Sequence, residues 1–262
     1  MRIVRFTPGP DAGLGQDPLF GVLEDDATIS IISGDPIYSG IQKSAAKIEL
    51  NKVRLLAPII PRSKVVCVGK NYADHAAEMG GVVPDEPIIF LKPNTSVIGP
   101  NDTIVWPEMS ERIDHEAELA IVIGRICKDV PVERVNDVIF GYTIANDVTA
   151  RDLQKKDGQW TRAKGFDTFC PIGPWVDTDF VPGTQKITAT IAGEVKQSAQ
   201  ISDMIFDVPT IVNFVSRVMT LLPGDIILTG TPAGIGPMVA GKKATMAIEG
   251  LGELTNKVSA QS

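Results

Sequence analysis

Apolar side chains in this chain come mostly in short runs or in strict alternation, the mark of strands, and only once at sustained helical spacing. The runs at 3–6, 19–23 and 28–32 predict three short strands, with a turn at Asp25-Asp26 between the last two. Residues 41–50 fit neither period. Further strands are expected at 64–68, at 87–93 (closed by Pro93) and at 103–107. Residues 114–124 enter an apolar run, Ala120 to Ile123, that reads as a buried strand. More strands fall at 141–149, 187–191 and 226–229, and 245–249 with 253–258 reads as a hairpin turned at Gly250-Leu251-Gly252. The clearest helix is 208–222: Asp207 can cap it, Pro209 suits its first turn, and Ile211, Val212, Val215, Val218, Met219 and Leu222 form one apolar stripe. Two short helices are expected, one in the Ala-rich stretch ending at Gly80-Gly81 and one within 130–139. Residues 150–165 are polar and loop-like. Strands dominate without the strand–helix alternation of a doubly wound sheet, so the pattern predicts an α+β chain with a mixed β-sandwich or roll. The punctuation Ala57-Pro58-Ile59-Ile60-Pro61 divides it into a small N-terminal domain, 1–57, and a larger one, 58–262.

The 262 residues are 44% hydrophobic and 22% charged, ordinary values for a globular protein. The net charge of −7 argues against a nucleic-acid partner, which needs a basic surface, but leaves room for a small anionic substrate if a metal or a few lysines reverse the local field. Three cysteines, Cys67, Cys127 and Cys170, without a C-x-x-C fit a reducing compartment, and no apolar segment reaches the length of a membrane span. The expectation is a soluble cytoplasmic protein.

Within the 114–124 strand, alternation puts Glu116 and Glu118 on one face, roughly 6.5–7 Å apart along the backbone. Leu119, Ile121 and Ile123 take the other face, and so does His115, which reads as structural. Two carboxylates at the mouth of a buried strand repel each other unless a cation lies between them, and a hard divalent ion suits that place. The alternative is a strand end with two solvated glutamates. Asp147, placed beside them, would complete a three-carboxylate site for Mg²⁺ or Mn²⁺, although spacing alone does not make the strands neighbours. His75 and Glu78, three residues apart on the short helix, share a face, an arrangement that serves a general base or an ordinary surface pair. Lys92 and Lys164 sit among apolar, Pro or Gly neighbours and are either solvated or available to a substrate oxygen. The run 230–236 is not a phosphate loop, because the GK[ST] ending is missing. Thr231 there can instead offer a hydroxyl to a carboxylate.

The order of motifs is more specific than any one of them: Gly69-Lys70-Asn71-Tyr72-Ala73-Asp74-His75, Leu91-Lys92-Pro93, the acidic strand, Asn146-Asp147-Val148-Thr149-Ala150-Arg151-Asp152-Leu153-Gln154, Lys164-Gly165-Phe166-Asp167, and 229–236. Over 58–258 the chain resembles the fumarylacetoacetate hydrolase family, while 1–57 matches only the idea of a variable N-terminal domain. The resemblance implies a mixed β-sandwich roll, usually a homodimer. It implies that Glu116, Glu118 and Asp147 bind Mg²⁺ or Mn²⁺ and that Arg151, Gln154, Lys164, Thr231 and Lys92 line the substrate pocket. It further implies that His75 with Glu78 acts as the base on a mobile lid, over 72–84. The position of His115 is often Tyr in the family. The implied substrate is a small 2-oxo acid, cleaved at a C–C bond through a pyruvate enolate by an acylpyruvate hydrolase or an oxaloacetate decarboxylase. The alternatives are an isomerase of the 2-hydroxyhepta-2,4-diene-1,7-dioate type and a catalytically idle binder of metal and 2-oxo acid.

Overall fold

The computed structural model describes residues 1–24 and 27–260. The turn expected at Asp25-Asp26 therefore lies outside the described residues. The fold is α+β with mixed sheets, as the pattern predicts. Its largest sheet runs through Lys43–Glu49, Thr28–Ile32, Leu19–Glu24, Arg2–Pro8, Cys170–Asp177, Ile139–Asn146, Ala117–Ile123, Ile226–Leu228, Val65–Gly69 and Ile88–Lys92 in that order. The ambiguous stretch 41–50 is thus a strand, at the edge of the sheet and largely exposed. The N-terminal strands join the rest through the antiparallel pair Arg2–Pro8 and Cys170–Asp177. A five-stranded sheet holds Glu194–Gln200, Lys186–Ile191, Lys243–Ile248, Gly252–Val258 and Thr103–Ile104, and the Lys243–Ile248/Gly252–Val258 pair is the expected hairpin.

Ala117–Ile123 is buried on both faces. Leu119, Ile121 and Ile123 pack with Ile187, Met246 and Leu254 of the five-stranded sheet, while Ala120 and Val122 pack with Val65, Ile226 and Cys170 on the opposite side. This alternation fixes the facing of the acidic residues just before it.

The helices are α1 (Pro36–Ser39), α2 (Ala73–Glu78), α3 (Arg151–Asp157), α4 (Thr161–Lys164) and α5 (Val208–Val218). Asp207 caps α5 by accepting from Thr210 N at 2.9 Å, as expected. The helix stops at Val218, four residues early, because Leu221 leaves to pair with Cys127. The helix expected within 130–139 is a 3-10 turn, Val132–Asp137, and the strand expected at 103–107 pairs only over Thr103–Ile104. Two expectations fail more plainly. Residues 150–165 hold α3 and α4 rather than a loop: polar composition misled because the buried side chains, Arg151, Leu153, Ala163 and Lys164, do not form a continuous apolar stripe. Cys170–Asp177 and Glu194–Gln200 are strands that the pattern missed. Among the described residues no helix is long and apolar enough to cross a membrane.

Candidate active site

The acidic strand is interrupted at its mouth. Glu116 sits between the short strand Ile113–His115 and Ala117–Ile123. Its backbone N–H donates to Asn146 Oδ1 at 3.0 Å, and its carbonyl accepts from Asp147 N at 2.9 Å. Ala117 pairs with Asn146 and Glu118 with Ala145, so antiparallel pairing delivers Asp147 beside the two glutamates. Each of the three carboxylates offers an oxygen within 4.8 Å of the others, and all three are buried. Spacing could not show this meeting; the sheet makes it.

Cations crowd this cluster unevenly. Lys164, at the end of α4, donates to Glu116 Oε2 at 2.8 Å and to Asp147 Oδ2 at 2.7 Å. Lys92 donates to Asp147 Oδ1 at 2.6 Å and to Val148 O at 3.2 Å. Arg151 donates to Glu116 Oε1, to Asp114 Oδ2 at 2.9 Å and to Gln154 Oε1 at 2.6 Å. Burial by itself would raise the Glu116 pKa, but Lys164 and Arg151 outweigh it and hold the carboxyl well below its usual range. The Lys164 pKa is likewise raised against its burial, by Asp147 and Glu116. Glu118 has less help, since Lys164 acts on it only from beyond ion-pair distance. Its one hydrogen-bond donor is Gly230 N, at 2.6 Å from Oε2, and among the described residues no lysine or arginine comes within ion-pair distance. Burial, then Asp147 and Glu116, push its pKa well above the ordinary value.

Gly230 can make that contact because its φ is +95°, and a Cβ there would lie 2.7 Å from Asn71 Cβ. Asn71 in turn anchors the start of α2: its amide donates to Phe206 O and Thr229 O, and its oxygen accepts from Phe206 N. α2 carries His75, which is buried, with Nδ1 3.3 Å from Glu78 Oε2. Glu78 also accepts from Gly234 N at 3.2 Å. The 229–236 segment is thus no phosphate loop; it supplies amides to Glu118 and Glu78.

One small pocket gathers Glu116, Glu118, Asp147, Lys164, His75 and Thr231, with Phe90, Trp160 and Met79 as its apolar wall. Its free space is about 30 Å³, the room of roughly one water. Three residues expected to contact substrate lie outside the lining of this small pocket. Lys92 is buried behind Asp147, and Arg151 with Gln154 stands behind Glu116, so none of them lines the pocket.

Besides Lys70, which lines the pocket, two residues next to it escaped sequence reasoning. Gln197 is buried on an otherwise mostly exposed strand, where a register shift at Ala189/Thr190 sets it opposite Ala189. Its amide donates to Thr231 Oγ1 at 2.8 Å and to Pro232 O at 2.7 Å, and its oxygen accepts from Ala117 N at 3.0 Å. That orientation makes His115 Nδ1, 3.1 Å from the same oxygen, the protonated nitrogen. His115 therefore faces away from the acidic cluster, as alternation predicts, with its pKa lowered by burial. Tyr72 is the second: its ring is buried and its hydroxyl has no partner. Nothing in the sequence separates this Gln from the other polar residues of its strand.

The fumarylacetoacetate (FAA) hydrolase C-terminal model matches residues 64–259, and an Rv2993c-like N-terminal model matches residues 1–58. Protein Rv2993c of Mycobacterium tuberculosis is 60% identical over 228 residues, 86% of this chain and 84% of that one. The mitochondrial oxaloacetate tautomerase FAHD1 of Arabidopsis thaliana is 46% identical over 198 residues, 73% of this chain and 89% of that one. The crystal structure of 5-carboxymethyl-2-hydroxymuconate delta-isomerase from Mycobacterium smegmatis superposes with a TM-score of 0.90 at 48% identity, covering 99% of this chain and 100% of that one. With the fold, the buried carboxylates and these matches in agreement, the chain belongs to the fumarylacetoacetate hydrolase family of enzymes.

Proposed function

We propose that this enzyme moves a proton on a small 2-oxo acid, interconverting its keto and enol forms, with Glu116, Glu118 and Asp147 holding Mg²⁺ or Mn²⁺. The observation that carries the reading is a buried histidine, held by a carboxylate, in the same pocket as three buried acidic residues. The donor set fits the ion: three hard oxygen ligands, one of which, Glu118, is buried with no cation of its own. When bound, the ion supplies Lewis-acid polarisation of the 2-oxo group.

The chain's own residues do the rest. Glu78 keeps the proton of His75 on Nδ1, which leaves Nε2 as the base that takes the proton from the carbon beside the 2-oxo group. Two hydrogens of the Lys164 ammonium are used by Glu116 and Asp147, and the third is free to meet the charge that develops on the 2-oxo oxygen. Lys92 and Arg151 position the carboxylates from behind. α2 brings His75 and Met79 to the wall of this narrow pocket, so its movement would admit substrate and its return would exclude water, the role of a lid.

Return of the proton to another carbon of a conjugated acid is isomerisation. Departure of the group beyond C3 is C–C cleavage through the same enol, by decarboxylation or, with water, hydrolysis. Following enol absorbance and pyruvate release together, in oxaloacetate and in acetylpyruvate with Mg²⁺, separates these outcomes. An enzyme-free blank and an EDTA control are needed, because free Mg²⁺ itself decarboxylates oxaloacetate. EDTA-sensitive loss of the enol without pyruvate supports tautomerisation, and pyruvate above the blank supports cleavage. No change in either signal from these acids or from a conjugated 2-hydroxydienoic acid overturns the reading.

A further inference from the structure

Four cations stand at or behind the pocket, and three are committed: Lys92 to Asp147, Lys164 to Glu116 and Asp147, and Arg151 to Asp114, Glu116 and Gln154. Lys70 is different. It lines the pocket with His75 and Trp160 and is half-buried. Among the described residues its ammonium has neither a hydrogen bond nor an ion-pair partner. Its backbone is left-handed, with φ at 56°, a region that lysine seldom occupies. Glycines frame it on two sides. At Gly69 a Cβ would come 2.8 Å from the Trp160 ring, and at Gly81, just beyond α2, a Cβ would come 2.7 Å from Lys70 Nζ. Backbone strain of this kind persists where the surroundings over-determine it, and it gathers at ligand sites.

We propose that Lys70 binds the far carboxylate of the substrate, so that the site prefers 2-oxo dicarboxylic acids to 2-oxo monocarboxylic acids. This rests on the 2-oxo-acid reading above. The acidic cluster, with the ion it holds, and Lys164 take the 2-oxo-acid head. The wall beyond it, Phe90, Trp160 and Met79, is apolar and suits a short carbon chain. At the end of that chain, Lys70 is the cation with a free valence. A carboxylate there gains a charge-assisted hydrogen bond. An uncharged tail leaves a desolvated ammonium unpaired when α2 closes, and this penalty gives the preference its sign.

The test is calorimetric binding, with Mg²⁺ present, of two acids of matched length, 2-oxoglutarate and 2-oxopentanoate, with oxalate as a head-only probe. The proteins are wild type, Lys70→Asn and Lys70→Arg; Asn is chosen because it accepts a left-handed backbone. Wild type is expected to bind 2-oxoglutarate about tenfold or more tighter than 2-oxopentanoate. Lys70→Asn should erase that difference, Lys70→Arg should restore most of it, and oxalate should bind all three alike. Equal affinity of wild type for the two acids, or a preference that survives in Lys70→Asn, overturns the proposal. Loss of oxalate binding in Lys70→Asn alone also overturns it, by assigning the residue to the scaffold of the head site. Failure of oxalate to bind wild type sinks the 2-oxo-acid reading itself, and Lys70's role with it.

Discussion

Glu118 is a buried carboxylate with one backbone amide and no cation beside it, and that imbalance has a sign. In metal-free protein near neutral pH, Glu118→Gln should raise stability by on the order of 1–3 kcal/mol, because it removes a buried acid that folds only by taking up a proton or by burying its charge. The same change should abolish Mn²⁺ binding, which calorimetry and thermal melts would show together; a destabilised variant that still binds metal would refute the argument. The pH dependence follows from the raised pKa. The folded state holds the Glu118 proton more tightly than the unfolded chain, so stability of the metal-free protein falls as pH rises from the ordinary carboxylate range through the raised value. On the proposed metal reading an ion replaces that proton, so the gain in Tm on adding Mg²⁺ should widen with pH over that window. Gln197 gives a second expectation at this scale. Gln197→Leu orphans His115 Nδ1–H and Ala117 N–H, both buried, and should cost about 2–4 kcal/mol in denaturant melts. Gln197 was not legible from the sequence, because its direction depends on a register shift between two strands.

The two elements that meet over the pocket are α2 and the 229–236 segment. Both were legible as motifs, yet the sequence did not say that they touch. Gly230 is where the two depend on each other most directly, since its positive φ and its closeness to Asn71 both exclude a side chain. Gly230→Ala should therefore cost about 2 kcal/mol or more and loosen α2, measured as faster amide hydrogen exchange over 72–84. In the wild type, oxalate with Mg²⁺ should slow exchange over the same residues; unchanged exchange would count against α2 as a lid. The short helices α3 and α4 show why local pattern failed at 150–165. Among their inward side chains are Arg151 and Lys164, whose burial is stabilised by Asp114 and Glu116 in the acidic segment and by Asp147 at the end of the neighbouring strand rather than by apolar periodicity.

For the whole molecule, the main sheet runs without a break from the N-terminal strands into those that carry the acidic cluster. Ile3, Val22 and Ile32 share a core with Cys170, Ile172 and Val176. A chain beginning at residue 58 would leave that core and the edge of Cys170–Asp177 open, so it is expected to aggregate or to melt without cooperativity; a soluble, cooperatively folding fragment would show that the core does not need these strands. The same core holds two of the three thiols. Cys67 and Cys170 are fully buried, and burial pushes the Cys170 thiol up to about 12. A thiol reagent at pH 8 should therefore modify no more than one cysteine, Cys127, in the native protein, and all three in denaturant.

The sequence by itself determined most of the strands, though not Lys43–Glu49, Cys170–Asp177 or Glu194–Gln200, together with the facing of Glu116, Glu118 and His115, the capped α5 and the shared face of His75 and Glu78. Each follows from the period of one local element, and periods are written in consecutive residues. The tertiary structure alone decided that Asp147 stands beside the two glutamates, that Lys92 and Arg151 stand behind the pocket and Lys70 within it, and that Gln197 turns inward. Those placements depend on which strands pair, in which register, and on how buried charges compensate one another across the sheet, and a local pattern carries none of that information.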